Sequence, residues 1–543
     1  MKLFQTGGVE AGCVPRGSCA GGQVPFPQTR CAKAIQILAL TSGAAALAAA
    51  AATAHGAEWK PIARLNLGVV ITDNVRLGGV GGAGGGGSDV ILTTSPTIGL
   101  RGQGRRLTLS ALYSPVVRGF INESAPETLV NNLNATARLE AVENFMFVDA
   151  RASIVQTEVS PFGGSTNDAA LINVNRVESR TLGLSPYIQG RFPGGGQYQV
   201  RHNFQYSTFS TGAFSDSTSN TTTARAQTAP GTLVVPSVEY SHSTRDFAST
   251  RVATSDIARL RATFGLSPVF SPYVHAGYED NEYRLSKISG PVYGGGFSWR
   301  PTERTRVSAN IEKRFFGTSY QIDANHRWSR ASFGLRASKA EQILPGLGGS
   351  NLAVSTRDLL DQTLLASIPD AVAREAEVDR LMLQGGLPEN TSLSSGLLTT
   401  RITLVETINP NLVLTGRRDT LSIGYTWSRL ESLSDAVATG ITDPFTNAGV
   451  IFRRGFSISE SHKLTQQITV VGAYSHTITT SPPTTGQQAG VEASQDSYRL
   501  TTSYALTPRT RLSGGIRYQR FTSNQANDFQ EKAVLADLTH TFY

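Results

Sequence analysis

The chain has 543 residues, 39% hydrophobic and 17% charged, with 54 glycines and 43 Phe, Trp and Tyr together. It has no collagen-like glycine period, and its apolar fraction is too high for a wholly disordered chain. The net charge is +8, but residues 1–57 hold Lys2, Arg16, Arg30 and Lys33 against Glu10; the other 486 residues carry only +5, interspersed rather than striped as a nucleic-acid partner requires.

The first 57 residues read as a secretory leader. Arg30 and Lys33 precede an alanine-rich run over 34–54, and Ala52-Thr53-Ala54 has the small-x-small form of a cleavage site, with a second candidate after Ala57. The long basic region before the run points to a start assigned too far upstream, with the initiator near Val24. A transmembrane anchor is the competing reading, although the run is only mildly apolar. The mature chain then begins near His55 or Glu58. Cys13, Cys19 and Cys31 all lie in the leader, so the mature chain has no disulfide, thiolate zinc site or cysteine nucleophile. No later segment has the 18 or more apolar residues that a spanning helix needs.

From residue 62 onward the sequence alternates apolar and polar residues. Val307, Ala309, Ile311, Lys313 and Phe315 interleave with Arg306, Ser308, Asn310, Glu312 and Arg314. The same period recurs over 319–328, 420–428 and 511–519. Each such segment is a strand with one apolar and one strongly polar face. The strands run about 10 to 14 residues, longer than the five or six usual in a soluble sandwich and long enough to cross a membrane at a tilt. Charged residues on the second face suit a wet lumen and not a second core.

Short turns are expected after Arg101, Val142, Gln189, Leu266, Arg300, Ser329, Gly416, Ser459 and Leu506. Longer loops are expected near 73–88, 118–130, 158–177, 210–218, 244–254, 343–396, 432–447, 478–491 and 523–530. The stretch 219–231 fits only if 220–229 is itself a strand turning at Pro230-Gly231. The expected fold is therefore all-β: a large transmembrane antiparallel outer-membrane β-barrel over 58–543, of about 22 strands (20 to 24). Strand 62–72 would close against 534–543, because an open edge cannot exist in hydrocarbon. Both mature termini would then face the periplasm. Terminal Tyr543 suits recognition by the barrel-insertion machinery, although it falls on the face opposite Leu538.

Two stretches break the pattern. Residues 78–88 hold eight glycines in eleven positions, a spacer or a loop with a ligand role. Residues 350–386 carry two helix-like pieces, and Val378, Leu381 and Met382 form an apolar stripe on the second. This insertion could constrict the lumen, dock a partner or be a passive loop.

The mature chain has no phosphate loop, His-Glu-x-x-His motif or nucleophile elbow, and its eight histidines have no ligand-like spacing. No enzyme, cofactor or metal is expected. His326, in phase with Trp328, reads as an interfacial residue. The better candidates are charges expected to face the lumen: Arg306, Glu312, Arg314, Asp323, Arg327, Arg511 and Arg517. They either brace the wall by cross-strand pairing or set a field that selects acidic solutes or glycans.

Several local sequences occur together: Thr72-Asp73-Asn74-Val75, Ser88-Asp89-Val90 leading to Ser95-Pro96, Val159-Ser160-Pro161-Phe162-Gly163, Phe316-Gly317-Thr318-Ser319-Tyr320 and Gly416-Arg417-Arg418-Asp419-Thr420. In order and spacing they resemble the outer-membrane β-barrel family associated with PEP-CTERM/exosortase systems, over about 61–543. That resemblance implies an outer-membrane channel or export barrel accompanying exopolysaccharide or surface-protein systems, and it supplies no catalytic residues. A general diffusion porin and a structural barrel sheathing a partner protein are the alternatives. Expected partners are outer-membrane lipid and lipopolysaccharide, the insertion machinery, and periplasmic polysaccharide-export or surface partners, with no nucleic acid.

Overall fold

A computed structural model describes residues 58–77, 87–122, 128–166, 168–210, 216–247, 250–283, 286–342, 374, 378, 399, 401–434, 444–446, 448–483 and 490–542. The leader, Tyr543, residues 78–86 of the glycine-rich stretch, and the 350–386 insertion apart from Arg374 and Val378 lie outside the described residues.

The described strands form one closed antiparallel sheet. In chain order they are β1 (Glu58–Thr72), β2 (Asp89–Gln103), β3 (Leu107–Tyr113 and Val116–Phe120), β4 (Thr128–Val130 and Leu133–Val142), β5 (Met146–Glu158), β6 (Arg176–Arg191), β7 (Gln197–Phe209), β8 (Ser217–Gln227), β9 (Val234–Phe247), β10 (Thr250–Phe264) and β11 (Phe270–Tyr283). There follow β12 (Ser286–Thr302), β13 (Thr305–Arg314), β14 (Gly317–Arg327), β15 (Ala331–Gln342), β16 (Thr403–Thr415), β17 (Asp419–Ser432), β18 (Val450–Lys463), β19 (Ile468–Ser481), β20 (Val491–Ala505), β21 (Thr510–Ser523) and β22 (Phe529–Thr541). That is a 22-stranded barrel, as the sequence predicts. Interruptions at Ser114-Pro115 and Asn131-Asn132 split β3 and β4; Pro115 has no N–H to give the ladder. The wall stays sealed there because Ser114 N donates to Asn132 O at 2.9 Å.

Each strand pairs with its sequence neighbours, and β1 closes on β22 in register from Arg64↔Thr541 to Thr72↔Ala533. Closure satisfies the backbone groups that hydrocarbon could not. The strand predicted over 220–229 is present as β8, which begins earlier at Ser217 and ends at Gln227, with Pro230-Gly231 in the turn that follows. Some predicted boundaries move: β18 runs past Ser459 to Lys463, β2 runs past Arg101 to Gln103, and of the loop predicted over 244–254 the residues through Phe247 and from Thr250 are strand, 248–249 lying outside the described residues. Alternation continues through these segments: in β18 Ser459 and Ser461 are buried lumenal positions, while Glu460 and His462 fall on the face of Phe456 and Ile458. The two-residue connection 315–316 is a further tight hairpin, relieved by Gly317 at φ +109°.

Alternation sorts the side chains. Leu182, Leu260, Val274, Tyr278, Ile311, Ile516 and Val534 project outward, each more than half exposed. A belt of this extent is not stable in water, and with closure it marks a lipid-facing wall. On the rim that carries the strand ends at Glu58 and Thr541, the short-turn rim, connections run from two to six residues; the longest connections share the other, the long-loop rim.

Candidate functional site

Two extended buried ionic networks stand out among the described residues of the lumen, and the first lies on β10 to β15. Arg259 (β10) donates twice to Glu312 (β13), Nε to Oε2 at 2.8 Å and Nη2 to Oε1 at 2.9 Å. His275 Nε2 (β11) lies 2.9 Å from the same carboxylate. Gly294 on the intervening strand allows this approach: a Cβ there would meet Ile311 O at 2.1 Å and His275 Nε2 at 3.0 Å. Arg314 donates to Glu279 from Nε at 2.9 Å and from Nη2 at 2.6 Å, and reaches Glu341 at 3.4 Å. Glu279 also accepts from Phe315 N at 2.7 Å and has no exposed surface. Tyr283 donates to Glu341.

The second network fastens a loop. Residues 159–175 join β5 to β6 and, rather than standing above the rim as the sequence suggests, the described ones (159–166 and 168–175) fold into the lumen. Within the loop, Ser160 N donates to Asn175 Oδ1 and Asn175 Nδ2 to Ser160 O, both at 2.8 Å. Ile172–Asn173 pairs in parallel with Arg76–Leu77. The loop is tied to the wall at four places. Gln495 (β20) exchanges two hydrogen bonds with the Ser165 backbone. Arg517 (β21) donates to Asp168 and also doubly to Glu531 (β22), at 3.0 and 2.7 Å. Arg118 (β3) donates to Leu171 O at 2.8 Å. Gly164 lies so close to Phe529 that a Cβ would come within 2.3 Å of the ring.

Apolar burial completes the plug. Phe162, Ala170 and Leu171 join Val75, Leu77, Phe445 and Ala448 in one cluster. That cluster reaches Val70, Ile91 and Phe120 on β1 to β3 and Val405, Leu430 and Ile451 on β16 to β18. Burial pushes the Asp168 carboxyl up, but the Arg517 guanidinium and the Ala170 N–H pull it further down, leaving it below its ordinary 3.8. A carboxyl depressed in the folded state contributes its full stabilisation above the ordinary value and loses it as pH falls through the lower one. Conductance of the barrel should therefore be flat from neutral pH down to about 4 and rise only below that; a rise beginning between pH 5 and 7 would assign the latch to another group.

The wall of β4 to β10 carries arginines open to the lumen. Arg138 and Arg201 both hold Asp149 at 2.9 Å, and Arg225 lies 3.2 Å from Glu239. Arg151 is exposed, and the Arg138 and Arg225 side chains are 62% and 60% exposed, so solvent reaches them inside the barrel. Toward the short-turn rim, a cavity of about 760 Å³ is lined by Arg225 and Glu239 together with Gln189, Gln197, Gln199 and Arg261 among others.

The predicted lumenal residues therefore divide. Glu312 and Arg314 meet in the first network, Arg517 anchors the plug, and Asp323 pairs with Arg336 at 3.1 Å. Arg306 and Arg327 lie near the short-turn rim with no ion pair among the described residues, and Arg511 there has a buried Nη1 without a hydrogen-bond partner. Val378 is helical and buried; Leu381 and Met382 lie outside the described residues. His326 packs edge-on to Trp328 at 4.3 Å. Sequence reasoning missed Asp168, Arg259, His275, Glu279, Glu341 and Glu531. Among the described residues, no group of three or more His, Cys, Asp or Glu could hold a metal ion.

Apolar outside, ionic inside and closed on itself, this is a transmembrane β-barrel of the outer-membrane type. No family model and no curated protein matches the chain. Solved structures similar to it include the siderophore receptor PirA from Acinetobacter baumannii, at TM-score 0.43 and 10% identity over 89% of this chain and 80% of that one. Others are the siderophore receptor PiuA from Acinetobacter baumannii (TM-score 0.41, 7%, 88% and 82%) and Pseudomonas aeruginosa OccK3, also called OpdO (0.33, 11%, 89% and 96%). At those scores the likeness carries no argument about cargo.

Proposed function

We propose that this chain is an outer-membrane channel that favours anions and is narrowed by its own 159–175 loop. The observation carrying this reading is the asymmetry of the lumen. The loop is fastened to the β20–β22 and β1–β3 side, while Arg138, Arg151 and Arg225 stand open to solvent on the β4–β8 side. This wall carries Arg138, Arg151, Arg201 and Arg225 against Asp149 and Glu239, and an excess of one sign in a low-dielectric enclosure raises the local concentration of the opposite sign. The short-turn rim and both strand termini face the periplasm in this reading, the long-loop rim faces outward among lipopolysaccharide, and the barrel-insertion machinery places it there. It performs no catalysis and binds no nucleic acid.

The link to an exopolysaccharide or exosortase-type surface system rests on the resemblance of local sequence; a deletion strain with unchanged surface polysaccharide would sink it. The channel itself is tested by reversal potential in planar bilayers under a KCl gradient. The native barrel should favour chloride, and the combined Arg138→Ser, Arg151→Ser, Arg225→Ser variant should drop toward a chloride-to-potassium permeability ratio of one. Cation preference in the native barrel, or silence from a protein shown to be folded and inserted, would overturn the reading.

A further inference from the structure

The cavity near the short-turn rim has a lining unlike the rest of the lumen. Gln189, Gln197, Gln199 and Gln227 project into it beside Arg225 and Arg261. Arg261 lies 4.4 Å above the Tyr273 ring and has no carboxylate partner among the described residues, so its donors remain available. Arg225 is shared with Glu239. Gln199 and Gln189 touch each other only at 3.5 Å, and the Gln197 and Gln227 amides have no hydrogen bond among the described residues.

Guanidinium groups recognise a carboxylate through paired N–H donors. A primary amide both donates and accepts, and this is the complement of a hydroxyl group. An inorganic anion only accepts, so it would leave the amide oxygens of Gln197, Gln199 and Gln227 idle and that of Gln189 with only its long contact to Gln199. A hydrophobic anion would leave the amide donors idle as well. Resting on the anion-channel reading above, we infer that this cavity is a binding subsite for a hydroxylated carboxylate of the sugar-acid class. Arg261 takes the carboxylate and the glutamine amides take the hydroxyls. At about 760 Å³ the cavity falls within the range of small-molecule sites.

The test is block of single-channel current by three probes: trigalacturonate, the neutral sugar maltotriose, and adipate, a dicarboxylate without hydroxyls. Heat-modifiable gel migration verifies that each variant is a folded barrel. Trigalacturonate should block at least about tenfold more strongly than either other probe. Arg261→Gln and Gln197→Leu should each weaken that block by about tenfold, the factor for one lost hydrogen bond to a charged or tightly held group. Equal block by adipate and trigalacturonate, or an unaffected Gln197→Leu, would reduce the site to bare positive charge and overturn the inference. Equal block by maltotriose would overturn it in favour of a neutral-sugar site. No block by any probe while chloride selectivity persists would overturn the subsite and leave the channel standing.

Discussion

Excising residues 161–174 and joining the ends through a short Gly-Ser linker should raise single-channel conductance several-fold. The segment removed supplies Phe162, Ala170 and Leu171 to the apolar cluster and Asp168 to Arg517. No strand of the wall is touched, because β5 ends at Glu158 and β6 begins at Arg176. Barrel closure and gel migration should therefore survive. The change should be accompanied by larger solutes entering liposomes that carry the variant. Arg517→Met should reproduce part of the increase, since it frees Asp168 while Gln495 and Arg118 still hold the loop. Unchanged conductance in the excision variant would mean that current does not pass the long-loop rim beside this loop.

Glu279→Leu should lower the unfolding free energy by about 3–5 kcal/mol, measured by urea denaturation in detergent micelles. Glu279 is fully buried and holds Arg314 at 2.9 and 2.6 Å and the Phe315 N–H at 2.7 Å. Leucine leaves a buried guanidinium with only Glu341 at 3.4 Å and Glu312 at 3.7 Å, and it orphans a backbone donor. Glu279→Gln keeps an acceptor for that N–H and should cost less, about 1–3 kcal/mol. The comparison is Glu143→Leu, which removes an exposed pair with Arg106 at 3.5 Å and should cost at most about 1 kcal/mol. Equal losses at 279 and 143 would mean that water reaches the first network and screens it.

The wall was legible because lipid imposes a period of two on every strand. Val307 to Phe315 gave the outward face and Arg306 to Arg314 the inward one; the structure keeps both over β13 as far as Lys313 and Arg314, whereas Phe315 falls in the following turn and packs against buried Tyr283. The strand count followed from the same rule. Pairing was not legible: Glu312 and Arg314 were visible as lumenal charges, but their partners Arg259, Glu279 and Glu341 lie on other strands, and register is a tertiary property. The plug was missed because polar Ser160, Ser165, Thr166 and Asn167 give residues 159–175 the look of a solvated loop. Phe162 and the run Ala169-Ala170-Leu171-Ile172 were the available signal, since a loop in water has no use for such a cluster.

The tie between Asp168 and Arg517 spans 349 residues, that between Ser165 and Gln495 spans 330, and that between Thr72 and Glu531 spans 459. The loop therefore leaves the translocation machinery long before the strands that will hold it. It cannot seat until β20 to β22 have arrived and β1 has found β22. Contacts so distant along the chain form late, because the closure entropy must be met before they stabilise anything. Assembly thus has a fixed last act, in which sealing of the sheet and occlusion of its passage coincide. A barrel stalled before its C-terminal strands would be open along its side and unobstructed within, so the same few strands decide whether the membrane gains a narrowed passage or a leak.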